Sequence, residues 1–233
     1  MSDKPRVLFH TGGPAFHPVQ EQAECARDWL ADRFDVVPIE GNAVFDHLDE
    51  ADLVVIGGLH WTGGPKLTFC DPVPYEPPNE PHRQAWRDYV ASGRPVCGFH
   101  GGIGSYDDWP EFARLLGFAW VWGVTSHTKV DRWTVHPRDD GHPVTRGLNR
   151  CELTDELYFN VAVANDIGVI VHADAPYHDV KFPMLMTGEG GRCQGAGRTA
   201  YIANGHDMRA FECGELKRIF ANTFNWLLNR DTQ

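Results

Sequence analysis

A histidine occupies the position at which a strand, a sharp turn and a helix would present a reactive side chain. The segment 98–102, Gly-Phe-His-Gly-Gly, directly follows the apolar run Pro-Val-Cys at 95–97. Small residues around His100 permit the tight turn that lifts one side chain above a parallel sheet. Because that side chain is an imidazole, the motif predicts proton transfer or metal ligation and argues against a thiol or hydroxyl acyl-enzyme.

Three further histidines are predicted to follow strands. His10 comes after the first strand, His60 after the apolar run 52–56, and His206 after the last strand. Ligands of open α/β sheets bind outside the carboxyl ends of the strands, so we expect these imidazoles to join His100 in one cleft. A single histidine at a strand end is usually a hydrogen-bonded turn residue, and the prediction therefore depends on the four together.

Carboxylates and aromatic side chains complete the candidate set. Asp155 and Glu156 could orient an imidazole, accept a sugar hydroxyl or bind a metal, although a helix cap at Thr154 or Asp155 is the alternative. Acidic side chains beside the histidines, including Asp207, could accept sugar hydroxyls. Four tryptophans could stack on sugar faces or pack into the core or a lid: Trp61, Trp109, Trp120 and Trp122.

A divalent metal such as zinc is a second interpretation of the same residues. Neutral imidazoles and one carboxylate, with a position left for water, suit zinc and could activate water or polarise a carbonyl. The chain has no HExxH-type spacing. Any metal ligands must therefore be brought together by the fold.

Composition predicts one domain that spans residues 1–233 and excludes two classes of partner. The 233 residues are 42% apolar, which is enough for one sizeable α/β core. A net charge of −11 without a basic cluster argues against nucleic acid. Six scattered cysteines without a CxxC motif, no apolar leader and no membrane-length apolar run predict a cytoplasmic protein that makes no membrane contact.

The hydrophobic pattern predicts alternating strands and helices followed by several strands in succession. Strand-helix-strand order implies a parallel sheet, and the later strands imply antiparallel additions to it. The Pro- and Gly-rich stretch 61–80 is predicted to be a surface insertion over the strand ends. Predicted strands cover 6–9, 34–39, 52–56, 95–97, 129–135, 167–171, 182–186 and 198–203, and predicted helices cover 19–33, 81–92, 109–116 and 214–229.

Several ordered motifs give the chain a family resemblance. They are the elbow at 98–102, Ser-His at 126–127, His-Pro-Val-Thr-Arg-Gly-Leu at 142–148, Thr-Asp-Glu-Leu-Tyr at 154–158, Phe-Pro-Met at 182–184, and Gly-His-Asp at 205–207 with Ala-Phe-Glu at 210–212. Together they resemble the trehalose-utilisation (ThuA-like) family over nearly the whole chain. The resemblance implies a three-layer, flavodoxin-like fold of the class I glutamine amidotransferase-like superfamily.

The resemblance also implies a role in carbohydrate utilisation. Amidotransferases of that superfamily use an elbow cysteine with a downstream histidine and glutamate, whereas this chain has His100 at the elbow. Cys97 falls inside the apolar strand, where a thiol is usually inert, so we expect no glutaminase activity. His127, in the matching Ser-His segment, joins His10, His60 and Trp61 as an expected cleft residue.

Two functions from different classes remain open at this point. The first is an enzyme that hydrolyses, isomerises or eliminates from a sugar or keto-sugar, with His100, His206 and Glu156 as catalytic groups and Asp155, Asp207 and the cleft residues as substrate contacts. The second is a carbohydrate-binding or regulatory protein that kept the fold without catalysis. Either would take a small carbohydrate as its ligand, and both are compatible with a homo-oligomer or with a subunit of a larger complex.

Overall fold

The computed structural model describes residues 4–230. Within that range the chain forms thirteen strands, four α-helices and several short 3-10 segments. The strands are β1 (Arg6–Thr11), β2 (Asp35–Glu40), β3 (Leu53–Ile56), β4 (Val96–Phe99), β5 (Phe118–Ala119), β6 (Ser126–His127), β7 (Asp131–Pro137), β8 (Cys151–Asp155), β9 (Tyr158–Phe159), β10 (Ala162–Val163), β11 (Gly168–Tyr177), β12 (Val180–Glu189) and β13 (Thr199–Ile202). The helices are α1 (Val19–Leu30), α2 (Glu80–Ala91), α3 (Pro110–Leu116) and α4 (Gly214–Leu227).

Five parallel strands form one half of the main sheet, in the order β2-β1-β3-β4-β13. Counted along the parallel strands alone, this is the order 2-1-3-4-5 of flavodoxin-like folds. That order confirms the predicted fold class. It also places the carboxyl ends of β1, β3, β4 and β13 along one edge, where ligands of such sheets bind.

Antiparallel strands extend the sheet beyond β13, in the order β12-β11-β7-β8. The predicted addition of antiparallel strands is therefore confirmed. Strands β11 and β12 are each ten residues long, whereas the hydrophobic pattern predicted only the five-residue strands 167–171 and 182–186 in this part of the chain. Residues near the hairpin turn are exposed, so they lack the apolar signal on which the prediction depended.

Aromatic packing on both faces of the parallel strands builds the three layers. Phe9 and Phe99 pack with Phe220 of α4 on one face. On the other face, Trp86 of α2 and Phe112 of α3 pack together in the core. Strands covered on both faces are expected to be apolar throughout, and β3, β4 and β13 are buried at every residue.

Two features near the site differ from the prediction. His10 lies within β1 rather than after it, because that strand continues to Thr11. The segment Cys151–Asp155 forms strand β8, so Asp155 ends a strand and does not cap a helical turn. The sequence pattern concealed β8 because only two of its five residues are buried. Among residues 4–230, no helix is both long and apolar enough to span a membrane.

Candidate active site

His100 begins the turn that follows β4, as the motif predicts. Its backbone has a φ of +40°, in the left-handed region that non-glycine residues rarely adopt. Gly101 allows His17 to approach, since a Cβ there would lie only 2.7 Å from the His17 Nδ1 atom. A Cβ on Gly102 would overlap the Ile56 carbonyl oxygen of β3. The glycines of this turn therefore let the strand ends pack closely and place the imidazole above them.

We predict that Gly102→Ala destabilises the protein by about 2–4 kcal/mol, because the backbone of β3 cannot move away without breaking the central sheet. Urea unfolding measures the loss. Gly214→Ala is the matched control, since a Cβ at Gly214 meets nothing within 4 Å. An equal free energy of unfolding for the Gly102→Ala variant and the native chain would contradict the steric argument.

Two hydrogen bonds fix the tautomer of the His100 ring. The Nδ1 atom lies 2.7 Å from the Ala203 carbonyl oxygen, which can only accept, so Nδ1 carries the proton. The Tyr158 hydroxyl lies 2.9 Å from Nε2 and donates to it. Burial lowers the pKa of His100 to about 4, against the opposing effects of the Ala203 carbonyl and the Glu156 carboxylate. At neutral pH the ring is therefore uncharged, with its lone pair on Nε2.

Glu156 directs its two carboxylate oxygens at different histidines. Oε1 lies 2.8 Å from Nδ1 of His127. Oε2 lies 3.3 Å from Nδ1 of His206 and 3.9 Å from Nε2 of His100. Burial alone would raise the pKa of Glu156, but the His127 hydrogen bond and the nearby His206 outweigh it, and the net pKa is well below the usual range. The same hydrogen bond to Glu156 raises the pKa of His127.

Asp155 joins the two segments that carry Glu156 and His206. Its buried carboxylate accepts backbone N–H groups from Glu156 at 2.8 Å, Gly205 at 2.7 Å and His206 at 3.0 Å. Burial raises the pKa of Asp155 to about 7, while these three N–H groups oppose the increase. The side-chain amide of Asn204 is a fourth donor, at 3.4 Å. A carboxylate that accepts four hydrogen bonds positions the site and has little capacity left for a substrate.

His17 is a member of the site that the sequence reasoning missed. Ligand atoms of His17, His100, Glu156 and His206 all lie within 4.8 Å of one another. The Nδ1 atom of His17 is buried without a hydrogen-bond partner among the described residues, whereas that of His206 contacts the Glu156 carboxylate at 3.3 Å. Burial and the neighbouring imidazoles lower the pKa of His17 well below the ordinary value. The available signal was its place in the loop between β1 and α1, at the same sheet edge as the predicted histidines.

A cavity of about 430 Å³ opens above this cluster. The cavity is lined by six of the predicted residues, Trp61, Trp120, Trp122, His127, Glu156 and His206, and by Tyr158 and His17. His100 is not part of this wall and packs against it through His17 and Tyr158. The volume lies within the usual range for small-molecule sites. The structure thus brings three predicted catalytic residues together beside a ligand-sized space.

Comparison with known proteins shows the family to which the chain belongs. The model of the family described as "ThuA: Trehalose utilisation" matches residues 6–227. The chain belongs to the ThuA family. A search of curated proteins finds no match.

Solved structures similar to this ThuA chain share its fold at low sequence identity. A ThuA-like protein from Parabacteroides merdae ATCC 43184 is 19% identical with a TM-score of 0.76, covering 99% of this chain and 92% of that one. A ThuA-like protein from Bacteroides uniformis ATCC 8492 is 18% identical with a TM-score of 0.69, covering 100% and 95%. The cytoplasmic protein STM3548 from Salmonella typhimurium is 13% identical with a TM-score of 0.61, covering 95% and 98%.

Three of the predicted contacts of this ThuA chain lie apart from the cavity wall. His10 is fully buried and packs against His60, with ring centroids 4.9 Å apart, and its Nε2 lies 3.1 Å from the Tyr106 hydroxyl. The His60 Nε2 atom lies 2.9 Å from the Thr11 carbonyl oxygen. Asp207 holds the exposed Arg209 guanidinium. Among residues 4–230, the side chains that line the cavity include none of these three.

Asp107 and Asp108, which follow the turn at His100, hold the Pro- and Gly-rich insertion in place; the insertion ends at residue 79, just before α2 begins. Asp107 accepts hydrogen bonds from the backbone N–H and the hydroxyl of Thr62, at 2.8 and 3.0 Å. Asp108 accepts a hydrogen bond from the Tyr75 hydroxyl. Trp109 is buried in the core. The insertion that carries Trp61 and Phe69 is therefore tied to the elbow turn and forms one wall of the cavity.

The ThuA elbow of this chain presents no thiol. Cys97 lies inside β4 and is fully buried, and burial raises the pKa of its thiol well above the ordinary value. A buried and protonated thiol is a poor nucleophile. The geometry supports the expectation that thiolate chemistry is absent, which stays a prediction.

Proposed function

We propose that this ThuA protein is a hydrolase that acts on a sugar derivative at the cluster of His17, His100, Glu156 and His206. The observation that carries the proposal is the convergence of these four ligand atoms within 4.8 Å, beside a ligand-sized cavity. The printed description of the family, trehalose utilisation, supports a carbohydrate as the substrate class.

We further propose that the cluster holds a divalent metal such as zinc. Three imidazoles and one carboxylate are a donor set that zinc accepts in tetrahedral sites, and ligation through His100 Nε2 would replace the hydrogen bond that this atom accepts from Tyr158. The buried Nδ1 atom of His17 has no hydrogen-bond partner among the described residues, and an unpartnered buried nitrogen is costly unless something binds it. Ligand atoms around a tetrahedral zinc are roughly 3.4 Å apart, so the widest separation in the cluster, up to 4.8 Å, needs to contract by about 1.4 Å.

Hydrolysis needs a group that takes a proton from water and another that gives one to the departing oxygen. The Oε1 atom of Glu156 suits the first role, because it faces His127 while the other carboxylate oxygen, Oε2, faces the proposed metal cluster. His127, half-exposed at the cavity and with a raised pKa, suits the second. The two pKa shifts share one cause, the hydrogen bond between His127 and Glu156, which favours a charged imidazole that can donate a proton and an ionised carboxylate that can accept one. A bound metal ion would polarise the water or a carbonyl.

In the balanced reaction, water contributes hydroxide to the sugar carbon and its proton passes to Glu156. The bond between the sugar carbon and the departing oxygen breaks, and that oxygen takes a proton from His127. The Tyr158 hydroxyl completes the polar floor beside Glu156 and donates to the neutral His100, which lies behind the cavity wall. Isomerisation or elimination would use the same base, but neither product would carry oxygen from solvent.

Metal content provides the first test. We predict that untagged native protein, stripped and then titrated with zinc, binds one ion per chain, and that Glu156→Gln weakens binding at least about 100-fold because one charged ligand is lost. Isothermal titration calorimetry with elemental analysis gives both values. Glu50→Gln is the matched control, since Glu50 is exposed and pairs with His47 outside the cluster.

Absence of stoichiometric zinc in the native protein, or unchanged zinc affinity in the Glu156→Gln variant, would overturn the metal proposal.

The reaction products decide whether the protein is an enzyme or a binding protein. Incorporation of labelled oxygen from water into the sugar product supports hydrolysis. Binding of sugars without any product would instead establish the carbohydrate-binding alternative. We also propose a cytoplasmic location, which is supported by six cysteines that are all free thiols.

A further inference from the structure

The cavity has a polar floor and an apolar mouth. The ionisable and hydroxyl side chains in its wall all belong to or adjoin the four-residue cluster described above. The remaining large side chains of the wall are apolar, namely Phe16, Leu59, Trp61, Leu67, Phe69, Trp120 and Trp122. We call this second set the aromatic mouth. Its side chains offer indole N–H donors and no acceptor oxygen.

Two chains of ring contacts connect the aromatic mouth with His100. On one side, Phe69 packs on Phe16 at 5.5 Å and Phe16 on His17 at 4.7 Å, and His17 packs on His100 at 4.7 Å. On the other side, ring contacts continue from the mouth to the floor. They are Trp61–Trp122 at 5.5 Å, Trp122–Trp120 at 5.6 Å, Trp120–Tyr158 at 5.0 Å and Tyr158–His100 at 4.6 Å. The mouth is therefore a direct continuation of the reactive floor.

Parts of the aromatic mouth are unusually exposed. Phe69 is 74% exposed and Trp122 is 47% exposed, and Val121 and Val124 beside Trp122 are exposed as well. Soluble proteins rarely leave adjoining large apolar side chains in water unless a ligand or partner covers them. Continuity with the proposed catalytic floor favours the substrate as the group that covers them.

A second sugar ring fits the aromatic mouth poorly. Each sugar hydroxyl that leaves water needs a new hydrogen-bond partner, and the wall side chains of the mouth supply no acceptor. A planar apolar group has no such requirement and gains from burial between the Phe and Trp rings. The polar floor, in contrast, supplies carboxylate, imidazole and phenol groups for one sugar unit.

We infer that the substrate is a glycoside with a single sugar unit on the floor and an apolar, preferably aromatic, substituent in the aromatic mouth. The inference rests on the proposed function and specifies its substrate class. It predicts that a disaccharide such as trehalose is a poorer ligand than an aryl glycoside that carries the same sugar.

Binding of three α-glucosides tests the inference. Methyl α-D-glucopyranoside, phenyl α-D-glucopyranoside and trehalose share one glucosyl unit and differ in the attached group. We expect the phenyl compound to bind about tenfold or more tightly than either of the others, measured by calorimetry and tryptophan fluorescence. In the Phe69→Ala/Trp122→Ala double variant, the phenyl affinity should fall to the methyl value, with the methyl affinity unchanged.

Tyr177→Ala is the matched control, because Tyr177 is an exposed aromatic residue of β11 outside the cavity wall. It should preserve the preference for the phenyl compound. Equal binding of the phenyl and methyl compounds, tighter binding of trehalose, or no binding of any of the three would overturn the inference. Zinc content measured on the same samples tests the proposed function separately, since neither Phe69 nor Trp122 belongs to the metal cluster.

Discussion

The free energy of unfolding of an Asp155→Ala variant is expected to be about 3–5 kcal/mol lower than that of the native chain. The substitution removes the acceptor for three backbone N–H groups, those of Glu156, Gly205 and His206. Each buried donor left without a partner costs about 1–3 kcal/mol, and partial entry of water reduces the total. The same variant should lose zinc, because Glu156 and His206 are no longer held at one place.

Urea unfolding and zinc titration of the Asp155→Ala variant measure both effects. Asp207→Ala provides the matched control in the same loop, since Asp207 pairs only with the exposed side chain and backbone of Arg209. Exposed ion pairs contribute little, so this control should change stability by less than about 1 kcal/mol. Similar stability in the two variants would show that the buried carboxylate does not join the two segments.

A His100→Asn variant is expected to lose turnover by about 10³-fold while it remains folded. Asparagine tolerates the positive φ at this position better than most residues, so the turn should persist. The variant removes a ligand atom of the proposed metal cluster and the acceptor of the Tyr158 hydroxyl, and a bound metal supplies several kcal/mol of transition-state stabilisation, or roughly 10³-fold in rate. Release of phenol from phenyl α-D-glucopyranoside measures the rate, and circular dichroism checks the fold.

Cys97→Ala is the companion variant for this experiment. If the buried thiol of β4 has no chemical role, its removal should leave turnover close to the native value. Native turnover in the His100→Asn protein would remove His100 from the catalytic groups. Loss of turnover in the Cys97→Ala protein with an intact fold would instead restore a cysteine mechanism.

Much of the framework was predictable because parallel strands carry a strong local signal. An apolar run that is covered on both faces, such as Leu53–Ile56, can be recognised in the sequence as a buried strand. The glycines around His100 indicate a sharp turn. His206 and Glu156 were predicted as partners of His100. In the structure, Oε2 of Glu156 lies 3.3 Å from Nδ1 of His206 and 3.9 Å from Nε2 of His100. These residues lie next to recognisable strand ends or motifs.

Other parts of the site could not be predicted, for a physical reason. His17 lies in an irregular loop, whose path depends on contacts with Gly101 that no sequence periodicity records. The sequence predicts Glu156 as a catalytic group and Asp155 as a substrate contact, but adjacent acids look alike in sequence and the pattern cannot show which of them is buried. Only the fold reveals that Asp155 receives backbone donors and that Glu156 faces the imidazoles. His10 and His60 have the right type and spacing but turn toward Tyr106 and Thr11.

The hydrogen bonds of Asp155 also reveal the shape of the antiparallel strands. Strand β8 is the last strand on its side of the sheet, four positions from β13. In a flat sheet four positions correspond to roughly 19 Å, yet an Asp155 oxygen lies 2.7 Å from the Gly205 nitrogen just after β13. The antiparallel part of the sheet must therefore curve strongly, so that the end of β8 lies beside the end of β13. Glu156 contacts His206 where these two strand ends meet. The contacts of Asp155 with Gly205 and of Glu156 with His206 cross between the same two segments. A small displacement of the outer strands would therefore break both the structural contact and the proposed catalytic cluster.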